Sequence, residues 1–88
     1  GETSHNINGY HKFPDGTIIQ WGYFSATSPG YSNISFPIAF PTDCLNVQKT
    51  SGAKGDNAGD ERYLRNWSKT GFYTGYDGAG CTWLAIGY

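Results

Sequence analysis

The sequence predicts an all-β fold, a small antiparallel β-sandwich of about six or seven short strands. Aromatic residues make up 17% of the 88 residues, glycine accounts for 13, and charged residues for only 15%. This composition favours short strands joined by tight turns and disfavours helices. A domain of this length buries only about 60–65% of its unfolded surface, so a single copy would be marginally stable. Partner subunits, a disulfide or a metal would have to supplement its core.

The first element is a β-hairpin with strands at 10–13 and 17–24. Pro14 presets φ for the first central position of the turn, and Gly16 supplies the positive φ that the return strand needs. Alternation in the second strand places Ile19, Trp21 and Tyr23 on one face and Ile18, Gln20, Gly22 and Phe24 on the other. Both faces are largely apolar, which predicts that the strand is covered on both sides.

The middle of the chain alternates between loops and strands. Residues 25–32 read as a loop with Pro29-Gly30 as its turn. Residues 33–40 read as a strand, with Pro37 and Pro41 indicating an edge strand or a bend. Its buried face would carry Ile34, Phe36, Ile38 and Phe40. A further short strand is predicted at 45–49 and an exposed loop at 50–61.

Three strands are predicted after that loop, at 62–67, 71–76 and 82–88, with a turn at 77–80. The acidic and amide residues of the loop, Asp56, Asn57, Asp60 and Glu61, are better explained as a solvated loop than as a calcium site or a catalytic pair. Their spacing is not that of an EF-hand. Glycoside hydrolysis also needs two carboxylates held rigidly across a cleft.

Charge and cysteine usage exclude several function classes. The net charge of -1 offers no basic stripe for nucleic acid, and no apolar run is long enough for membrane insertion. We expect Cys44 and Cys81 to be free, buried thiols, although they could pair. His5 and His11 lie apart from any nucleophile, and no paired spacing suits zinc. We therefore expect no cofactor and no metal, although three copies of one histidine could meet on a trimer axis.

Four motifs resemble the C-terminal tip domain of contractile-tail phage and prophage tail fibres. In chain order they are Phe-Pro-Asp-Gly-Thr-Ile-Ile-Gln-Trp-Gly (13–22), Phe-Pro-Ile-Ala-Phe-Pro (36–41), Thr-Gly-Phe (70–72) and Trp-Leu-Ala-Ile-Gly-Tyr (83–88). The second half also resembles the H-type lectin pattern, from the Phe-Pro run to Trp83, Ala85 and Gly87.

Both resemblances imply a β-sandwich that assembles as a homotrimer and binds sugar. Residues 1–8 would then be a lead-in from an upstream fibre shaft or a tag, and 9–88 the single tip domain. The implied partners are the shaft, a bacterial surface glycan and a fibre-assembly chaperone. The implied location is the virion, at the tail fibre tip, after assembly in the host cytoplasm.

The predicted ligand site combines Tyr63, Arg65 and Trp67 with Tyr76 and Asp77. If Leu64 points into the core, alternation places the first three on the opposite face of one strand. Aromatic rings can stack on a pyranose, and Arg and Asp can bind hydroxyls or anionic substituents. The same face could instead pack on a neighbouring subunit, and Asp77 could simply be a turn residue.

The sequence therefore favours a host receptor-binding module that binds lipopolysaccharide or a similar surface polysaccharide without cleaving it. Three alternatives stay open: a small polysaccharide depolymerase, the adhesin tip of a pilus or bacteriocin particle, and a purely structural trimerisation cap.

Overall fold

The computed structural model of the chain describes residues 2–25, 29–51, 64–77 and 80–88. These residues form eight strands and no helix: β1 (Thr3–Ser4), β2 (Gly9–Lys12), β3 (Ile18–Phe24), β4 (Pro29–Ser35), β5 (Cys44–Ser51), β6 (Leu64–Arg65), β7 (Gly71–Asp77) and β8 (Cys81–Gly87). One sheet has the strand order β1-β2-β3-β8-β5 and the other β4-β7-β6. All paired strands are antiparallel, so the predicted all-β architecture is confirmed.

The predicted hairpin joins β2 to β3 through a closed turn. Phe13 N–H donates to the Thr17 carbonyl at 2.8 Å, and Gly16 N–H donates to the Phe13 carbonyl at 3.0 Å. Gly16 has φ = 97°, a backbone conformation that is energetically costly for residues with a side chain. The Thr17 N–H also donates to Asp15 Oδ1 at 2.9 Å, and this bond holds the pKa of Asp15 below its usual range. Pro14, Asp15 and Gly16 therefore fix the register of the two strands.

The hydrophobic core lies between the two sheets. The ring centroids of Phe72 in β7 and Trp83 in β8 are 5.5 Å apart, and Phe36 lies 5.8 and 5.5 Å from them. Gly22 faces Trp83 across the β3–β8 pair, and a Cβ there would come within 2.5 Å of the indole. A residue with no side chain is therefore required for that ring to pack. The other buried apolar members are Ile18, Phe40, Cys44, Val47 and Ala85.

A buried glutamine ties the irregular segment 36–43 to the five-stranded sheet. Gln20 has no exposed surface. Its Nε2 donates to the Ile38 carbonyl at 2.9 Å, and its Oε1 accepts the Ile38 N–H at 3.0 Å. The side chain thus replaces a neighbouring strand for one residue, and both ends of the buried amide have a partner.

Some predicted boundaries were wrong. Pro29-Gly30 is not a turn; these residues begin β4 and pair with Asp77 and Tyr76. Proline is tolerated at the first residue of a strand, so local composition was misleading here. The strand predicted at 33–40 ends at Ser35 and gives way to the bends of 36–43, as the prolines indicated.

Other predictions of the sequence concern the ends of the domain and its long loop. Of the loop predicted at 50–61, residues 50 and 51 belong to β5, and the remainder, with Asp56, Asn57, Asp60 and Glu61, lies outside the described residues. Residues 3 and 4 of the expected lead-in pair with β2. The predicted strand 62–67 is short, since only Leu64–Arg65 are extended among its described residues.

The two cysteines are free and buried. In the β5–β8 pair, Cys44 lies opposite Gly87 and Cys81 lies opposite Ser51, so they occupy opposite ends of the ladder. Six residues of strand correspond to about 20 Å. A disulfide needs Cα atoms about 5.5–6 Å apart, so the two thiols of one chain cannot pair in this fold.

Candidate functional site

The outer side of the five-stranded sheet carries an uncharged, largely apolar surface. It consists of alternate residues of β3 and β8, and we call it the apolar face: Ile19, Trp21, Tyr23, Thr82, Leu84 and Ile86. Leu84 is 49% exposed and Ile86 39% exposed. Trp21 lies directly opposite Leu84, and Ile19 opposite Ile86. Contiguous exposed apolar side chains of this kind mark interaction surfaces.

The residues before β2 extend this face. Trp21 Nε1 donates to the Asn6 carbonyl at 3.0 Å, and Asn8 Oδ1 accepts the Tyr23 N–H at 2.9 Å. Ile7, between them, is 70% exposed. An open hollow of about 370 Å³ lies beside Ile7 and is lined largely by apolar side chains, including Trp21 and Trp83.

The outer side of the three-stranded sheet is different, because it carries polar groups and aromatic rings. Tyr31 of β4 and Tyr73 of β7 stack with centroids 6.1 Å apart and planes 7° apart, and Tyr31 is 45% exposed. Asn33 and Ser35 continue along β4 on the same side and are exposed. Exposed rings beside amides and hydroxyls can serve a sugar ligand, because a ring can stack while polar groups accept and donate hydrogen bonds.

Where β7 begins, the sheet forms a pocket with the loop 66–70. Its volume is about 200 Å³. We call it the polar pocket after the side chains that bound it: Asn33, Ser35, Asn66, Ser68 and Thr70. Its remaining lining comes from Ile34, Gly71 and Phe72. The described lining residues supply amides and hydroxyls, and none of them is a carboxylate.

The loop that forms one wall of the pocket is held by its own hydrogen bonds. Asn66 has φ = 57°, a left-handed conformation that Asn tolerates better than most residues, and it ends β6. The Ser68 N–H donates to the Gly71 carbonyl at 2.8 Å. Ser68 Oγ accepts the Thr70 N–H at 3.2 Å and lies 3.2 Å from Thr70 Oγ1.

The same loop is also held from behind. The Phe36 N–H donates to the Thr70 carbonyl at 2.9 Å, and the Phe40 N–H donates to the Lys69 carbonyl at 2.8 Å. Because Phe36 and Phe40 are both buried, these bonds connect the pocket wall directly to the core. The wall is therefore part of the packed fold, which favours a preformed site.

Of the predicted ligand residues, Trp67 is the one whose side chain the structure describes, and it is 40% exposed. Tyr63 lies outside the described residues. Arg65, Tyr76 and Asp77 are placed by their backbone alone, in β6 and β7. Leu64 packs against the core, as predicted. Strand alternation does not extend to Trp67, because β6 ends at Arg65 and Asn66 has a positive φ.

The backbone also separates the predicted residues into two groups. Trp67 stands between Arg65, which pairs with Tyr73, and Ser68, which bonds Gly71 at the start of β7. Tyr76 and Asp77 end that strand, so about 20 Å separates Asp77 from Gly71. A single ligand can therefore contact both Trp67 and Asp77 of one chain only if it is extended. A shorter ligand could contact both only if they come from adjacent subunits.

The polar pocket was not predicted. Its walls come from β4 and from the loop 66–70, more than thirty residues apart in sequence. Ser, Thr and Asn in such stretches look like ordinary turn residues. Among the described residues, no three His, Cys, Asp or Glu side chains are grouped so as to hold a metal ion. In that same part of the chain no helix has the length and apolar character needed to cross a membrane.

Comparisons with known proteins agree with one another. Residues 12–88 match the family described as "tail fiber protein gp53-like, C-terminal". An uncharacterised protein, MJ0347 of Methanocaldococcus jannaschii, is 37% identical over a gapped alignment of 95 positions that covers 92% of this chain. This chain spans 63% of that relative's length.

The fold also matches solved structures of pyocin fibres. An N-truncated R1-type pyocin tail fibre superposes with a TM-score of 0.77 at 25% identity, covering 99% of this chain and 84% of the other. A C-terminal fragment of the R2 pyocin fibre of P. aeruginosa gives a TM-score of 0.78 at 26% identity. That match covers 99% of this chain and 25% of the fibre fragment.

Proposed function

Because this chain belongs to the family of gp53-like tail fibre C-terminal domains, we propose that it is a receptor-binding tip that attaches its particle to a bacterial surface glycan. The resemblance seen in its four motifs is thereby confirmed. The domain is a component of a virion or of a phage-tail-like particle. Lipopolysaccharide is the glycan we propose, bound without being cleaved.

One observation carries the binding role: the loop that forms one wall of a preformed pocket of amides and hydroxyls also carries an exposed indole. Trp67 is 40% exposed in the loop that forms the pocket wall. Stacking on a ring combined with neutral hydrogen-bonding groups suits a polyhydroxylated ligand. Hydrolysis would instead require two carboxylates across a cleft, and the described residues place none in this pocket. We therefore propose a binding module and not an enzyme.

We propose that three copies of the chain associate through the apolar face. None of its six residues is charged, so two copies can approach without like-charge repulsion. Burial of Trp21, Leu84 and Ile86 would supplement a core that is small for one domain. The polar pocket lies on the other sheet, so the three copies could assemble and still present it to solvent.

The five predicted ligand residues remain part of this proposal. Trp67 would stack on the sugar, and Arg65 would bind hydroxyls or an anionic substituent. Tyr63 would supply a second ring, with Tyr76 and Asp77 contacting a distal unit of the glycan or coming from an adjacent subunit. An upstream fibre shaft and an assembly chaperone are further proposed partners. Assembly in the host cytoplasm would suit the two free thiols, which reducing compartments maintain.

A bacteriocin particle is a second candidate for the parent assembly. The likeness of this chain to pyocin tail fibres favours it. Its tip would use the same surface in the same way, so the choice of particle does not change the proposed chemistry.

The test is incubation of the purified domain with polysaccharides extracted from a panel of bacterial strains. Calorimetry measures binding, and size-exclusion chromatography measures the length of the recovered chains. The proposal predicts saturable binding to at least one polysaccharide whose length is unchanged. Shortened chains would establish a depolymerase, and absence of binding to every polysaccharide would favour a structural cap.

A further inference from the structure

The polar pocket offers uncharged hydrogen-bonding groups that the fold itself does not use. Within the described part of the chain, the side chains of Asn33, Ser35 and Asn66 have no hydrogen-bond partner, and all three are exposed. Each amide can both donate and accept, as can each hydroxyl. They converge from β4 and from the loop 66–70 on one cavity.

We propose that the polar pocket binds one neutral hydroxylated sugar residue of the glycan, with the indole of Trp67 stacking at its edge. This inference rests on the proposed function, because it assumes that the domain binds a glycan. It specifies which part of the surface binds the sugar and which chemical class of sugar fits there. Tyr76 and Asp77, at the far end of β7, have no part in it.

The size of the pocket suits a single sugar residue. About 200 Å³ equals roughly six or seven water molecules at ~30 Å³ each, which is the scale of one monosaccharide. Ile34 and Phe72 also contribute to the lining, but their side chains pack in or against the core, so polar groups dominate the pocket. A pyranose presents hydroxyls around its rim to such groups.

The chemistry of the lining selects against charged substituents. None of the lining residues that the structure describes is charged, and Lys69 of the same loop is not among them. A phosphate or carboxylate that enters the pocket would lose water without gaining a cation from these residues, which is costly. A neutral sugar exchanges its water hydrogen bonds for those of amides and hydroxyls, so its binding depends little on salt.

The wall is preorganised, which lowers the cost of binding. The left-handed Asn66 and the bonds from Phe36 and Phe40 to the loop fix the backbone before any ligand arrives. In a preformed site, less of the interaction free energy is lost to ordering the loop and its side chains when the ligand binds. The rigid loop therefore favours binding of a small residue that makes only a few contacts.

Titration of the ¹⁵N-labelled domain with neutral methyl glycosides, followed by NMR, tests the pocket directly. The probes are the methyl glycosides of glucose, galactose, mannose, rhamnose and N-acetylglucosamine, with methyl glucuronide as the anionic control. We expect at least one neutral glycoside to shift the side-chain amide signals of Asn33 and Asn66 and the indole signal of Trp67. The glucuronide should not shift them. Shifts confined to other residues, or produced by the anionic probe alone, would overturn the pocket.

Two variants give a second, independent measurement. Asn66→Gly removes the amide while keeping a residue that adopts positive φ without strain. It should weaken binding of the polysaccharide found by the strain panel about tenfold, the loss expected for one or two hydrogen bonds. Lys69→Ala, in the same loop but outside the pocket lining, should stay within about twofold of wild type.

The outcomes separate this inference from the function on which it rests. Tight binding of polysaccharide by wild type that is unchanged in Asn66→Gly overturns the pocket and leaves the receptor role intact. Wild-type protein that binds no polysaccharide overturns the receptor role and the pocket together.

Discussion

Replacing Gln20 by leucine should weaken the fold more than any exposed glutamine replacement, because a fully buried side chain loses two hydrogen bonds at once. Gln20 is fully buried and bonds both the N–H and the carbonyl of Ile38, at 3.0 and 2.9 Å. Leucine is of similar size but leaves both backbone groups without partners. Each unsatisfied group costs about 1–3 kcal/mol, and the apolar side chain recovers part of that cost. A net loss of about 2–4 kcal/mol is expected.

That loss is large compared with the stability of a small domain, which is about 5–15 kcal/mol. For a domain of this size it corresponds to a fall in Tm of roughly 10–25 °C. Thermal melting followed by circular dichroism, at one fixed protein concentration for all variants, measures it. The concentration matters because subunit association stabilises the folded state.

The matched control is Gln48→Leu, the same substitution at an exposed strand position of the same sheet. Among the described residues the Gln48 amide bonds only the exposed side chain of Asn46, at 2.8 Å, so the Tm of Gln48→Leu should stay close to that of wild type. Equal melting temperatures for Gln20→Leu and wild type would refute the reasoning. They would mean that segment 36–43 is held by something other than the two hydrogen bonds between Gln20 and Ile38.

Three further predictions concern assembly, pH and the thiols. Leu84→Glu places a charge on the apolar face and should convert the proposed trimer to monomer in sedimentation velocity at micromolar concentration, whereas Lys69→Glu should leave it a trimer. A trimeric Leu84→Glu would move the interface elsewhere. The Thr17 N–H favours the charged form of Asp15, so this stabilisation is present above pH ~4 and is lost as pH falls through the lowered pKa. Asp15→Asn should therefore flatten that part of the pH–stability curve. Parallel curves for Asp15→Asn and wild type would contradict this prediction. Burial raises the pKa of the Cys44 thiol, so Cys44 and Cys81 should resist alkylation at neutral pH until the protein unfolds, and a modified native protein in mass spectrometry would contradict their burial.

Local signals in the sequence predicted the elements that local chemistry determines. Pro14 and Gly16 specify the hairpin turn within a few residues, so its strands were predicted closely. The alternation of Phe36 and Phe40 identified core residues even where the strand itself ends at Ser35. In both cases the signal for burial or turn geometry lies within a few residues of the position that it predicts.

Elements that depend on distant partners could not be predicted in this way. The start of β4 resembles a loop in composition, and its strand character comes from pairing with β7, more than forty residues later. The polar pocket has the same origin, since Asn33 and Ser35 meet the loop 66–70 only after the sheet has formed. Trp67 was identified as exposed, but the break at Asn66 that ends its strand carries no signal in the sequence.

The central claim is that this domain is a glycan-binding tip. Its most direct test is flow cytometry of bacteria incubated with fluorescent wild-type domain and with the folded Trp67→Ala variant. The panel pairs each strain with a mutant that lacks its outer polysaccharide. The account predicts saturable labelling of at least one strain, loss of labelling in its polysaccharide-deficient partner, and weaker labelling by Trp67→Ala. Equal labelling of a strain and its polysaccharide-deficient mutant, or no labelling of any strain, would contradict it.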